Sequence, residues 1–287
     1  MNKIAIVRIA EGLGNQMFMF ATAYAFSKYF NIKLFIDNES GFFKKKNKAR
    51  GQKYLLNIFN IKNPIAKQDY LFNNYFKDIK RKFLKKTDFF RKYKYFLLEK
   101  SLPNKKTFFS NFDFTNDFTN QFYIEGHFES ENYFTKFKQD IFKIFTIKDK
   151  LINYKNEFIP LLKKNNSVSI HIRAHRFTDE PHQKRKISNF NKSIQFTNSS
   201  INYAKKGMDF FKKNIKNPVF FVWSNDISYI SDKFDNYNCI FIKNNSLIDD
   251  FYLFSLSKHF IVSPSCFHWW GAWLNQSPGK ICLRPKI

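Results

Sequence analysis

The 287-residue chain has few cysteines, few acids and no long apolar run. Three cysteines, Cys239, Cys266 and Cys282, are too few and too C-terminal for a disulfide framework. None forms a CxxC pair and no Cys/His spacing suits zinc, so a cytosolic protein is expected. No stretch approaches the roughly 18 apolar residues of a membrane span. The nearest, 260–274, is broken by Ser263, Pro264, Ser265 and His268. The opening MNKIAIVRIAEGLGNQ carries too short an apolar run for a secretory signal. No internal repeat recurs at a fixed period. Hydrophobic residues at 44% and charged residues at 25% exclude disorder, collagen and a pure coiled coil as descriptions of the whole.

The shortage of acids is the largest imbalance. Against 49 Lys and Arg stand 23 Asp and Glu, a net charge of +26. That points to a polyanionic partner: nucleic acid, an acidic membrane face or a phosphate-bearing substrate. The bland alternative is lysine supplied, with Asn, Ile and the 39 Phe, by A/T-rich codons. Lysines are spread along the chain and no RRM, KH or zinc signature is present, so nucleic acid is not the expected partner. Basic clusters interleaved with Phe and Tyr fill 41–118. They read either as an amphipathic surface for an anionic membrane, with 74–107 the candidate contact, or as a helical layer with lysines outward and Phe inward.

The rest of the chain reads as two successive α/β units. A β-branched run at 4–9, a Gly-rich turn and a helix over 16–29 are followed by a strand at 33–36. A strand at 121–124 precedes a helix over 133–145. A mixed stretch at 148–164 with Pro160 is the expected junction, dividing the chain into units at 1–155 and 156–287. Strands are expected at 168–173, 219–223, 240–242 and 260–262, and helices at 202–214, 247–258 and 267–274. Alternating strands and helices imply parallel sheets.

Polar clusters sit where strands end, which is where open α/β sheets bind ligands. Gly12-Leu13-Gly14-Asn15-Gln16 joins strand to helix, yet it is neither GxGxxG nor a Walker loop. His171-Ile172-Arg173 ends a strand, with alternation expected to put His171 and Arg173 on one face and Ile172 in the core. A guanidinium that stays charged suits a diphosphate leaving group. Ser224-Asn225-Asp226 ends another strand. Ser263-Pro264-Ser265-Cys266-Phe267-His268 lies between strand and helix, where hydroxyls and helix-start N–H groups can cradle phosphate.

GLGNQMF at 12–18, HIR at 171–173, WSND at 223–226 and DFYLFSLSKHFIVSPSCFHWWGAWLN at 250–275 resemble the bacterial α-1,2-fucosyltransferases of glycosyltransferase family 11. GHFES at 126–130, with Tyr133-Phe134, is similar to the GYFQS…YF segment of that family. The resemblance implies an α/β, GT-B fold with two Rossmann-like domains facing a cleft. It implies an inverting, metal-independent transfer of L-fucose from GDP-β-L-fucose to a glycan acceptor, with no cofactor. His171 and Asp250 would lie near the guanine and Arg173 at the β-phosphate. Ser265 and Cys266 would lie near the diphosphate, with Ser224 and Asp226 as further donor contacts. Gly12, Gly14 and Asn15 would face the donor from the N-terminal domain. Where the family has HxRRxD, this chain has Ala174 and Arg176 in place of the second Arg and the Asp, so Arg173 becomes the principal phosphate ligand. Those two positions leave room for a different GDP-sugar. Asp179 and Glu180, following the motif, are candidates for the base. Lipid-linked acceptors would place the enzyme in the cytoplasm, peripheral to the inner membrane. The other classes left open are a nucleic-acid-binding protein and a membrane-docked scaffold with a degenerate transferase site.

Overall fold

A computed structural model describes residues 3–44, 52–86, 95–99, 121–178 and 187–285. The chain divides into two compact units, Met1–Lys148 and Asp149–Ile287; the sequence reading drew the line after residue 155.

In the N-terminal unit, strands β1 (Ile4–Arg8), β2 (Lys33–Asp37), β3 (Tyr95–Leu98) and β4 (Gln121–Glu125) form a parallel sheet in the order β2-β1-β4-β3. Ala5, Ile6 and Val7 are wholly buried, as a central parallel strand covered on both faces requires. Helix α1 (Leu13–Tyr29) starts three residues earlier than the sequence suggests, with Gly12 as its N-cap. It is apolar nearly all round and is buried accordingly. Its Phe26 meets Phe122 and its Phe20 meets Phe145, both edge-on. Ile6, Ala66, Leu71, Phe72 and Tyr123 form a second cluster in the same unit.

The expected helix over 133–145 is instead two short 3-10 turns followed by helix α3 (Lys138–Ile144), after helix α2 (Tyr75–Leu84) earlier in the chain. Tyr133 and Phe134 are both wholly buried, and Phe134 departs from helical geometry at φ −136°. Core packing overrides helical propensity there. The sequence reading of 41–118 as lysines outward and Phe inward also fails at α2, where Asp78 and Arg81 are buried while Phe76 is 84% exposed.

In the C-terminal unit, β5 (Asn166–Ile172), β6 (Pro218–Ser224), β7 (Cys239–Phe241), β8 (His259–Ile261) and β9 (Cys282–Leu283) form a parallel sheet in the order β7-β6-β5-β8-β9. The expected junction folds into helix α4 (Phe158–Lys164), with Pro160 in its first turn, where no amide is missed. Helix α5 (Ile187–Asn214) is far longer than the expected 202–214. Its N-terminal half is rich in Ser, Asn and Thr, which usually mark loops. Here Thr197 and Ser200 bury their hydroxyls by donating to the carbonyls of Ser193 and Phe196, 2.9 and 2.8 Å away. Strand β9 has only two residues and left no signal in the sequence.

Alternation sorts the sheet residues onto two cores. Phe220 and Val222 pack with Ile170, Ile201 and Met208 on one face. Val219, Phe221 and Trp223 pack with Leu253 and Phe254 on the other. Gly207 lets α5 approach β8 closely: a Cβ there would lie 2.8 Å from Ile261 Cδ1. Gly207→Ala is therefore expected to lower stability by about 1–2 kcal/mol, despite alanine's better helix propensity. In an Ile261→Val background, which lacks that methyl, urea unfolding should show most of the loss recovered.

Candidate active site

The site in the C-terminal unit grows from strand β5. Val168, Ile170 and Ile172 face one core, while Ser167, Ser169 and His171 face the other. Ile172 lies in the core and His171 on the opposite face, as alternation predicts; His171 is buried as well, while Arg173, one residue past the strand, is exposed. Each buried polar group is matched. Ser167 Oγ donates to Leu162 O at 2.8 Å and accepts from Lys258 N at 3.1 Å. Ser169 Oγ meets Ser257 Oγ and the carbonyl of Phe254. His171 Nδ1 shares a 3.1 Å hydrogen bond with Ser263 Oγ.

His171 also stacks on His268, with ring centroids 3.5 Å apart and planes 13° from parallel. Helix α6 (Ile227–Ile230), helix α7 (Leu247–Ser255) and helix α8 (Cys266–Leu274) follow β6, β7 and β8 in turn. His268 sits in the first turn of α8, edge-on to Phe254 at 4.4 Å. Burial, assisted by the Arg173 charge, pushes the His171 imidazolium pKa down to about 3. Burial, then proximity to His171, pulls His268 well below the usual range. Both rings are neutral at physiological pH, so positive charge in this corner comes from arginine.

Arg173 lies two residues beyond His171, just past the end of β5. Arg176 donates from Nη1 to Pro264 O at 3.4 Å, and its guanidinium lies over Phe196 at 5.0 Å. The ends of β5 and β8 are thus tied together, with Ser265 as the N-cap of α8 and Cys266 as its first residue. Ser265 Oγ lies 3.4 Å from His268 Nδ1 and makes no side-chain cap. A helix N-terminus with the Arg176 guanidinium at its lip suits an anion.

The WSND segment builds the neighbouring wall. Asn225, absent from the sequence-based site residues, brackets Ala174: Ala174 N donates to Asn225 Oδ1 at 2.8 Å, and Asn225 Nδ2 donates to Ala174 O at 2.9 Å. His175, held at φ +58°, contacts Asp226 Oδ2 through Nε2 at 3.0 Å. Asp226 caps α6 by accepting from Tyr229 N, and Ser224 Oγ accepts from Asp226 N. The Tyr229 amide and then His175 hold the Asp226 carboxyl below its usual range. Ser224 and Asp226 are thus engaged in shaping the loop that carries Arg173. Ser263, Asn225 and His268 were missed because each works through a neighbour. The signal for them lay in the WSND and SPSCFH segments themselves.

Asp250 stands in the first turn of α7 and accepts from Trp223 Nε1 at 3.2 Å. Burial raises its pKa to about 6, against the Trp223 hydrogen bond, with Asp249 adding like-charge repulsion. A cavity of about 550 Å³ opens nearby, lined by Asn156, Phe241, Lys243, Asn245 and Asp249. Asp179 and Glu180 lie outside the described residues.

In the N-terminal unit, Gly12 caps α1 with open space where a Cβ would stand. Gly14 is buried and Asn15 half-buried. Gln16, wholly buried, is structural. Its amide donates to Glu11 O at 2.8 Å and Lys53 O at 2.7 Å, and accepts from Leu55 N at 2.9 Å. A separate cavity of about 450 Å³ is lined by Asn38, Glu39, Phe42, Phe43, Gln52 and Tyr54. Glu39 accepts from Asn73 Nδ2 at 2.6 Å, and burial pushes the Tyr54 hydroxyl up to about 12, keeping it a donor. In the GHFES segment, Phe128 is wholly buried and packs edge-on against Tyr133, so this motif is a packing corner. Among the described residues, no group of three His, Cys, Asp or Glu is placed to hold a metal ion, and no helix is long and apolar enough to cross a membrane.

Two Rossmann-like units in one chain, the second with arginines and a helix start at its strand ends, define a GT-B glycosyltransferase. The profile of Glycosyl transferase family 11 matches residues 2–284, and the chain belongs to that family. It is 28% identical over 290 residues to an alpha-1,2-colitosyltransferase of Escherichia coli, covering 98% of this chain and 91% of the relative. It is 25% identical over 297 residues to the O-antigen biosynthesis glycosyltransferase WbnK of the same species, covering 97% and 92%. Among solved structures, it is similar in fold to POFUT1 in complex with GDP (TM-score 0.54, 13% identity, 100% of this chain and 99% of that one). The fucosyltransferase NodZ from Bradyrhizobium gives a TM-score of 0.53 at 11% identity, over 94% and 91% of the two chains.

The raised Asp250 pKa yields a signed prediction. With a folded pKa near 6 against an unfolded 3.8, the charged carboxylate costs stability above pH 6 and costs nothing below about pH 4. Asp250→Asn keeps an acceptor for Trp223, and should gain about 1–2 kcal/mol at pH 7.5 after discounting for solvent screening. The gain should shrink as the pH falls through 6 toward 4. Urea unfolding of both proteins across that range checks it.

Proposed function

We propose that the protein is an inverting, metal-independent glycosyltransferase that moves L-fucose from GDP-β-L-fucose to a galactose-type hydroxyl, in α-1,2 linkage, on a bacterial surface glycan. The observation that carries this reading is an exposed arginine, Arg173, one residue past the end of β5, together with Arg176 tied to the start of α8 through Pro264 O. As the glycosidic bond breaks, negative charge grows on the departing diphosphate. Fixed guanidiniums and helix-start amides stabilise that charge more in the transition state than in the ground state. The neutral His171–His268 stack adds no competing cation. Asp250, beside the 550 Å³ cavity, is assigned to the guanine, whose N–H groups suit a carboxylate acceptor. The names of the relatives, and the GDP held by the POFUT1 structure, support a GDP-sugar donor and an O-antigen-type acceptor.

The acceptor is assigned to the N-terminal unit. Aromatic faces at Phe42, Phe43 and Tyr54, with Asn38, Glu39 and Gln52, offer the mix of stacking surface and hydrogen-bonding groups that a pyranose needs. Asp179 or Glu180 would take the acceptor proton. Reaction at the cytoplasmic face of the inner membrane fits a lipid-linked acceptor. A second reading, with colitose or another GDP-linked sugar as donor, is favoured by the colitosyltransferase relative and by Ala174 in place of the second arginine of the family.

Calorimetry with GDP, GDP-fucose, GDP-mannose and UDP in EDTA tests the donor. GDP-selective binding without metal is expected, and the rank of the sugars separates the two readings. Arg173→Ala should lose about 10²–10³-fold in kcat while its thermal unfolding is unchanged. Near-normal turnover in that variant, or UDP bound as well as GDP, would overturn the assignment.

A further inference from the structure

Helix α2 is built inside out. The helical repeat along 75–84 puts Asp78, Arg81 and Leu84 on one side, and Tyr75, Phe76 and Ile79 on the other. The charges face the protein. Arg81 Nη2 donates to Asp78 Oδ1 at 2.6 Å, and Arg81 Nη1 pairs with Glu125. Lys44 reaches Asp78 and Lys85 reaches Glu125, at 2.6 and 2.7 Å. Leu84 joins the cluster of Ile6 and Tyr123 beneath. The apolar side chains face away: Tyr75 is 71% exposed, Phe76 84% and Ile79 52%.

The ion-pair network anchors the helix to the end of β4 without using these three side chains, so packing among the described residues gives no reason for them to be apolar. Their setting is basic. Lys80 and Lys82 stand at the two edges of the outward stripe, and Lys86 is exposed one turn further on. Residues 74–86 carry Lys77, Lys80, Arg81, Lys82, Lys85 and Lys86 against a single acid, Asp78, which is already closed in ion pairs.

We infer that this face is a docking surface for an anionic lipid bilayer. Charge complementarity selects the occupant. Aromatic and aliphatic side chains enter the boundary between headgroups and acyl chains, while flanking lysines extend their ammonium groups to lipid phosphates. A helix lying in that plane would hold the N-terminal unit against the membrane surface. The inference goes beyond the transferase reading and does not rest on it.

Sedimentation of the full chain with vesicles tests it. Vesicles of phosphatidylglycerol and phosphatidylcholine should carry the protein down, and phosphatidylcholine alone should not. Raised salt should weaken the association. Phe76→Ser with Ile79→Ser should cut partitioning by about tenfold or more. Lys80→Glu with Lys86→Glu should do so at about fivefold or more per charge. Thermal unfolding and GDP binding of both variants are expected to match the parent. No association with anionic vesicles, or association that survives both double substitutions, overturns the inference. So does a dimer of the parent that the Phe76/Ile79 variant converts to a monomer, since a second copy would then cover the face.

Discussion

Strand β5 has to be central, buried on both faces and yet able to end in charge. A central parallel strand normally reads as a continuous apolar run. This one alternates Val168, Ile170 and Ile172 with Ser167, Ser169 and His171. Each unpaired polar group on the second face would carry a desolvation cost of about 1–3 kcal/mol. The matching partners are Leu162 O at the end of α4, Phe254 O and Ser257 at the end of α7, and Ser263 after β8. The polar seam therefore fixes in register the very segments that carry the site. It ends at His171, held by Ser263 and the His268 ring, and two residues further on stands Arg173.

The electrostatics of the corner follow from that burial. Two stacked imidazoles at 3.5 Å tolerate no shared charge, and removal from water settles both as neutral. Positive charge is left to guanidiniums, which do not lose their protons to burial. Arg176 is placed where it can serve, against Pro264 O at the lip of α8, although its position in the motif is an aspartate in the family pattern. Asp250 shows the opposite bias: a carboxylate kept where its charge is poorly solvated, steadied by the Trp223 indole N–H and by Asn245. Strain is stored at the same level of the fold. Glu11 and His175, in the turns after β1 and β5, both have φ near +60° without being glycine. Such positions cluster where function rather than stability sets the backbone.

What the sequence made legible follows from how local each signal was. The β-branched runs at 4–8 and 168–172, and the polar clusters that end them, announced parallel sheets and strand-end chemistry from adjacent residues alone. Helix α5 was half hidden because Ser193, Thr197 and Ser200 resemble loop residues until their hydroxyls are seen to close on the preceding turn. Gln16 reads as part of a ligand-facing motif, and only a contact 37 residues away at Lys53 reveals it as a clamp. Asn225 and His268 were in view as letters of motifs, but their tasks lie with Ala174 and His171, 51 and 97 positions distant, beyond the reach of any spacing rule.

Helix α2 marks the limit of pattern reading most sharply, because its amphipathicity is strong and its orientation is reversed. A helical wheel of 75–84 gives one apolar and one charged face, and the default places the apolar face inward. The reversal is decided by Glu125 at the end of β4, 44 residues from Arg81. That carboxylate is half-buried, and desolvation would push it up. Arg81, Arg8 and Lys85 together hold it below its usual range instead. With Glu125 charged and largely removed from water, a cation is needed to face it. Arg81 supplies that cation, Asp78 and Lys44 extend the pairing, and the rotation of the helix is fixed with its aromatic side chains outward. A half-buried charge at a strand end thus determines which surface this unit presents to its surroundings.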